Sequence, residues 1–267
     1  MRPPLSRAER ECPTVRQESH SPAPAAAAKL PSWLVAKVEF FLSHTSLVAT
    51  PHVPEVVLRL GTEAVPLWDA VARKLGAANA KAPPYWGFAW PGGQAVARYV
   101  LDHPHLVAGR RVLDLAAGSG ITAIAAAKAG AARVTAYDID PLAVVAIAMN
   151  ADANGVAVEA SAVDLVRQDG AFDSSAFDVI LAGDVFYDHD LAGRATAFLQ
   201  GCRAAGCVVL LGDPGRPLLP RHLLASRAEY LVPVAFENQY TAAATRDDRH
   251  CVRATVWELE IGAAATW

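Results

Sequence analysis

Residues 111 to 140, RVLDLAAGSGITAIAAAKAGAARVTAYDID, constrain the fold more than any other stretch of this chain. Val112 to Leu115 reads as a short buried strand with Asp114 inside it, and Ala116-Ala117-Gly118-Ser119-Gly120 as a small-residue turn. An Ala/Ile-rich helix follows from about Ile121 to Lys128, and a second strand, Val134 to Tyr137, ends at Asp138 and Asp140. Strand, glycine turn, helix, strand and acid in that order form the front end of a nucleotide-binding α/β fold.

The rest of the chain continues the alternation. A helix is expected over Pro141 to Asn154, with Asp140 as its N-cap and Gly155 as its stop. Strands are expected at Val156 to Val163, Phe177 to Ala182 and Cys207 to Leu211, with a helix at Leu191 to Ala204 between the last two. Beyond them the sequence reads as helix Arg221 to Glu229, then strands Val232 to Phe236 and Ala254 to Leu259. This pattern predicts an α/β fold: a doubly wound, Rossmann-like, mostly parallel sheet with an antiparallel edge.

Upstream, residues 1–31 are rich in Pro, Ala, Ser and charge without apolar periodicity, the composition of a disordered leader. Residues 32–104 read as an N-terminal extension: helices at Trp33 to Leu42 and Glu63 to Leu75, an extended stretch at 45–61, and an aromatic lid. That lid carries Tyr85, Trp86, Phe88 and Trp90 ahead of a Pro-Gly-Gly turn and a helix from Gln94 to about Leu101. Packing and ligand contact are both open readings for these rings. Residues 105–267 would form the catalytic domain.

Composition narrows the function. Hydrophobic residues at 53% and charged residues at 19% suit a buried core. A net charge of -3 gives no basic surface for nucleic acid, and no apolar run is long enough to span a bilayer. Cys12, Cys202, Cys207 and Cys251 lack zinc-type spacing and fit a reducing, cytoplasmic setting. His103 and His105, separated by Pro104, read as loop residues, so no metal is expected.

Gly118 to Ala123 also satisfies G-x-G-x-x-A, with Asp138 twenty residues beyond Gly118, so a nicotinamide-dependent oxidoreductase is one reading. Asp114 before the turn disfavours a pyrophosphate and suits a cation. Asp164 adds an acid after the following strand. S-adenosylmethionine fits better, with an amino group and a sulfonium for acids, a ribose diol for Asp138 and an adenine amine for Asp164. Gly118 and Gly120 would let the backbone approach its amino-acid end.

The combination resembles the class I, seven-stranded S-adenosylmethionine-dependent methyltransferases. More narrowly, five segments in order over residues 83–217 resemble the lysine methyltransferases that modify the electron transfer flavoprotein beta subunit. They are PYWGFAWPGGQAVARYVLD, VLDLAAGSGITAIAAAKAGA, AYDIDPLAVVAIAMNADANG, AGDVFYDHDLA and LGDPGRP. Milder similarity extends through residues 44–68. One departure is Ala116, where the class usually has the first glycine of its turn.

The resemblance implies a methyl-donor site at Trp90, Asp114, Ala116, Gly118, Gly120, Asp138, Ile139, Asp164 and Gly183. It also makes Asp184 and Tyr187 the D-x-x-Y motif of lysine methyltransferases: Asp184 would accept from the target ammonium and Tyr187 would wall the lysine channel. Arg216 is open between an acidic patch of a protein substrate and a surface ion pair. The expected acceptor is the flavoprotein beta subunit, and the expected state a monomer. Alternatives are a ribosomal protein, a small heteroaromatic amine, or a binding-only module.

Overall fold

In the computed structural model the described residues are 32–61, 64–77, 82–167, 172–233, 246–247 and 251–260. The leader expected over residues 1–31 lies outside them.

Strand-forming apolar runs pair into one sheet. β3 (Arg111–Leu115) lies between β4 (Arg133–Tyr137) and β6 (Val179–Gly183); β5 (Glu159–Ser161) joins β4, and β7 (Val208–Asp213) joins β6, all parallel. β10 (Cys251–Leu259) inserts antiparallel between β7 and the outermost β8 (Leu224–Pro233), giving the order β5-β4-β3-β6-β7-β10-β8. The two-residue β9 (Arg246–Asp247) pairs with the start of β10. The expected mostly parallel sheet of seven strands with an antiparallel edge is what forms.

Alternation along the strands divides the core. Val112, Val179 and Leu181 face α3 (Pro91–Asp102), α4 (Ile121–Lys128) and α5 (Pro141–Ala153). Leu113, Leu115, Ile180 and Ala182 face α6 (His189–Ala204) on the other side. Pro141 opens α5, Asp140 caps it by accepting from the Leu142 amide at 2.8 Å, and Gly155 follows its end at φ +63°.

The expected helix at Arg221 to Glu229 does not form. Arg221–Leu223 makes a single 3-10 turn, and β8 pairs with β10 from Leu224↔Leu259 to Pro233↔Cys251. Ala, Arg and Glu give this segment helical propensity, but β10 offers an open ladder edge and the sheet a place for Ala228 and Tyr230 against the core. Tertiary pairing outweighs propensity here. The strand expected at Val156 to Val163 is shorter, only Glu159–Ser161.

Ahead of the sheet, α1 (Ser32–His44) and α2 (Ala64–Leu75) pack Phe40, Phe41, Leu67 and Val71 with Trp86 and Phe88 onto α5. The stretch expected to be extended is a hairpin of β1 (Ser46–Thr50) and β2 (Val53–Leu60). Its Val53, Val56 and Leu58 pack against α3, α4 and α5. Asn150 of α5 and Asn154 at its C-terminal cap fasten it: their side-chain oxygens accept from the Arg59 and Val57 amides at 2.8 and 3.1 Å.

Candidate functional site

The parallel strands β5, β4, β3 and β6 all end at one edge of the sheet, where ligands of doubly wound folds bind. A cavity of about 560 Å³ opens there. Of the residues singled out in the sequence, it gathers Trp90, Ala116, Gly118, Asp138, Ile139, Asp164, Gly183, Asp184 and Tyr187 in its walls.

The glycine turn is bent as such a site requires. Ala116, Gly118 and Gly120 all lie in the left-handed region, at φ 53°, 52° and 81°. A side chain at position 116 in that conformation costs about 1–2 kcal/mol, which explains why glycine is usual there. Gly120 is the N-cap of α4 and lies behind the wall against Ile147.

Asp138 ties this turn to the next strand end. One carboxylate oxygen accepts from the Gly118 amide at 2.9 Å and the other from the Asp140 amide at 2.9 Å. Burial pushes its carboxyl up to about 6, against these bonds. Ile139 beside it is an exposed apolar side chain on the cavity wall.

Asp164 follows β5. Its Oδ2 faces Arg167 at 3.4 Å and Arg194 at 3.7 Å, and Asp190 of α6 holds both guanidiniums, at 3.3 and 2.7 Å. Its Oδ1 is buried with no hydrogen-bond partner among the described residues. The rest of its side chain, 29% exposed, lines the cavity.

Asp114 is not brought to the cavity. Alternation along β3 turns it onto the face occupied by α4, where it is fully buried and accepts from the Ala123 amide at 2.9 Å. Burial raises its carboxyl to about 7, opposed by the Thr122 hydroxyl and the Ala123 amide. Its place is under the N-terminus of α4, satisfying an amide that the helix leaves unpaired.

The aromatic segment divides. Trp86 and Phe88 are almost wholly buried among α1, α2 and α5, though both touch the cavity. Trp90 donates from its indole nitrogen to the Tyr85 carbonyl at 2.9 Å, and Tyr85 lies between the rings of Trp90 and Tyr187, at 5.8 and 5.1 Å.

Beyond β6, Asp184 is a non-glycine residue at φ 60° and almost fully buried. Its amide donates to the Gly212 carbonyl at 2.9 Å, its Oδ2 accepts from the Gly93 amide at 2.9 Å, and its Oδ1 accepts from Arg216 at 2.6 Å. Asp184 does not cap the following helix; Asp188 caps α6, accepting from the Leu191 amide at 2.9 Å. Backbone strain of about 1–3 kcal/mol held by surrounding contacts is typical of a functional position.

One sequence reading changes here. Arg216 is neither on the surface nor turned to a partner; it is buried between Asp184 and Asp213, with Asp213 Oδ2 at 3.2 Å. The Pro-Gly-Gly turn serves the protein's own backbone: a Cβ on Gly92 would stand 2.2 Å from the Gly212 carbonyl oxygen, and one on Gly183 would stand 2.6 Å from the Gly93 Cα. These glycines bring the N-terminus of α3 onto the ends of β6 and β7, which is what delivers the Gly93 amide to Asp184.

Comparison with known proteins turns this geometry into a family. The electron transfer flavoprotein beta subunit lysine methyltransferase of Homo sapiens is 34% identical over 232 residues, 86% of this chain and 84% of that protein. This chain belongs to that family. The Rattus norvegicus member is 42% identical over 188 residues, covering 67% of this chain and 70% of its own length. Residues 99–185 also match the model of ribosomal protein L11 methyltransferase (PrmA). A 16S rRNA N2 G1207 methyltransferase from T. thermophilus, solved with AdoMet and guanosine, superposes with TM-score 0.50 at 18% identity, over 81% of this chain and 50% of that one, and shares the fold.

The chain is therefore a methyltransferase, and the oxidoreductase reading of its glycine turn falls. The cavity suits S-adenosylmethionine on its own terms: acids at Asp138 and Asp164 and the left-handed turn at Gly118 lie together in its wall. Among the described residues, no helix is long and apolar enough to cross a membrane.

Proposed function

We propose that this chain transfers methyl groups from S-adenosylmethionine to lysine side chains of the electron transfer flavoprotein beta subunit. One observation carries the acceptor reading: a buried, strained carboxylate, Asp184, meets the cavity beside the part-exposed ring of Tyr187. The similarity to L11 methyltransferases lies in residues 99–185, which carry the glycine turn and the acids after β4 and β5. It supports the donor and is silent on the acceptor.

S-adenosylmethionine supplies an electrophilic methyl on a sulfonium; the amine nitrogen forms the new bond as the carbon–sulfur bond breaks, its electron pair going to sulfur. Within the protein, Asp138 would accept from the ribose hydroxyls and Asp164 from the adenine amine. Ile139 and Trp90 would cover the base and nucleoside, and Ala116, Gly118 and Gly183 would offer backbone to the amino-acid end. Asp164 and Asp184 follow β5 and β6, which lie three strand spacings apart, about 14 Å. That span leaves room for a nucleoside between them.

A lysine ammonium of ordinary pKa about 10.4 reaches the site protonated and must shed that proton to become a nucleophile. Asp184 keeps unused lone pairs on both oxygens, since an ionised carboxylate offers about four acceptor positions. It accepts from the incoming ammonium and, after the proton leaves to water, from the neutral amine, aiming the lone pair at the methyl. Tyr187 lines the approach with its ring. The enzyme acts as a monomer in this reading, and the buried thiols of Cys202 and Cys207 suit the reducing conditions of the cytoplasm.

Asp184→Ala separates the two halves of this reading. Calorimetry should show S-adenosylmethionine binding retained while methyl transfer falls by about 100-fold or more. Normal transfer by a variant that binds donor normally removes Asp184 from the reaction.

A further inference from the structure

Arg216 sits in the turn after β7, and nothing in the reaction as described uses it. Its Nη1 bridges Asp184 Oδ1 at 2.6 Å and Asp213 Oδ2 at 3.2 Å, and all three side chains are at most 9% exposed. Asp213 is anchored from behind: its Oδ1 accepts from the Gly215 and Arg216 amides at 2.7 and 2.6 Å. Asp213 does not reach the cavity, whereas Asp184 and Arg216 do.

Two acids sharing one guanidinium leave one negative charge uncompensated. Taking such a charge out of water is expensive unless a cation or a proton meets it. Burial and the neighbouring Asp184 charge both push the Asp213 carboxyl up, while Arg216 and its two amide donors pull it down. The triad meets the cavity through Asp184 and Arg216, and an acceptor ammonium would arrive at the Asp184 carboxylate.

We propose that Arg216 is a positioning residue for methyl transfer: it fixes the Asp184 carboxylate and, shared with Asp213, leaves the triad a net negative charge facing the acceptor amine. This deepens, and rests on, the reading of Asp184 above. Three constraints over-determine Asp184: the Gly93 amide on one oxygen, Arg216 on the other, and the Gly212 carbonyl on its own amide. Removing the guanidinium leaves two buried carboxylates facing each other, and the carboxylate nearest the cavity loses its orientation.

The test uses the full chain, S-adenosylmethionine and recombinant flavoprotein beta subunit. Arg216→Met should lower kcat by about 10-fold or more while the donor Kd changes by less than about 3-fold; Arg216→Lys, which restores a cation, should recover most of the rate. The Gly93 amide resonance, which reports the Asp184 carboxylate without any substrate, should move in Arg216→Met and return towards its wild-type position in Arg216→Lys.

Unchanged kcat in Arg216→Met, equal losses of kcat and donor affinity, or an unmoved Gly93 resonance would each overturn the proposal. If Arg216→Met does not fold, Asp213→Asn decides: it leaves the guanidinium to Asp184 alone, so kcat should fall, and kcat within about 2-fold of wild type refutes the shared charge. A wild-type enzyme that leaves the beta subunit unmethylated counts against the substrate reading alone, and the Gly93 resonance still settles the positioning role.

Discussion

Gly92→Ala tests whether the Pro-Gly-Gly turn is built for backbone packing beneath the acceptor site. Its added Cβ would stand 2.2 Å from the Gly212 carbonyl oxygen and 2.6 Å from Asp184 Oδ2, whereas real Cβ atoms essentially never come within 3.0 Å of such atoms. The backbone contact alone is 0.8 Å short, and neither partner is the free end of a flexible side chain, so α3 must lift from the ends of β6 and β7. Overpacking of this kind costs about 1–3 kcal/mol. Lifting α3 also takes the Gly93 amide off the Asp184 carboxylate, a charged hydrogen bond worth about 1.5–3 kcal/mol. The expected destabilisation is thus about 3–5 kcal/mol, a large part of an ordinary domain's stability. Urea denaturation of the full chain measures it, and methyl-transfer activity should fall with it. A midpoint shift equivalent to less than about 0.5 kcal/mol, the range of ordinary surface changes, would show that the two backbones are not locked as described.

Ala116→Gly should stabilise the protein. The left-handed φ of 53° is strained for alanine, and about 1–2 kcal/mol of relief exceeds the added chain entropy of glycine, about 0.4–1 kcal/mol. Thermal melting reads the sign, and a lower midpoint would contradict it. Donor binding should depend on pH through Asp138, whose carboxyl burial raises to about 6. The ionised form accepts the ribose hydroxyls, so affinity should rise as pH increases through that value and level off above it. In stability the sign is opposite: a raised folded-state pKa stabilises below the unfolded value and loses that contribution as pH rises through about 6. Calorimetry across this range checks the first, and Asp138→Asn should flatten that profile; in stability it removes only the Asp138 share, because Asp114, raised to about 7, still titrates.

Local chemistry explains what the sequence made legible. The strand–turn–helix–strand unit, the Asp140 cap and the order of the parallel strands follow from apolar runs, glycines and capping residues within a few positions of each other. β8 was not legible because its strand character comes from β10, about 30 residues further on, while its own Ala, Arg and Glu favour a helix. At the site, the acids after each strand could be placed at the ligand edge by topology alone. Asp114 could not, since only the alternation of β3 against α4 shows that it turns away from the cavity. Arg216 looked like a surface residue because charge and a Pro-Gly turn suggest exposure. Its burial depends on Asp184 and Asp213 meeting across β6 and β7, a pairing that spacing cannot reveal.

Mass spectrometry of recombinant electron transfer flavoprotein beta subunit, after incubation with this enzyme and S-adenosylmethionine, decides whether the chain methylates lysine in that protein. Methyl groups should appear on lysine residues, with S-adenosylhomocysteine formed in step, and both should vanish with Asp184→Ala. An unmodified beta subunit, or methyl groups only on residues other than lysine, would overturn the assignment of the beta subunit's lysines as the acceptor.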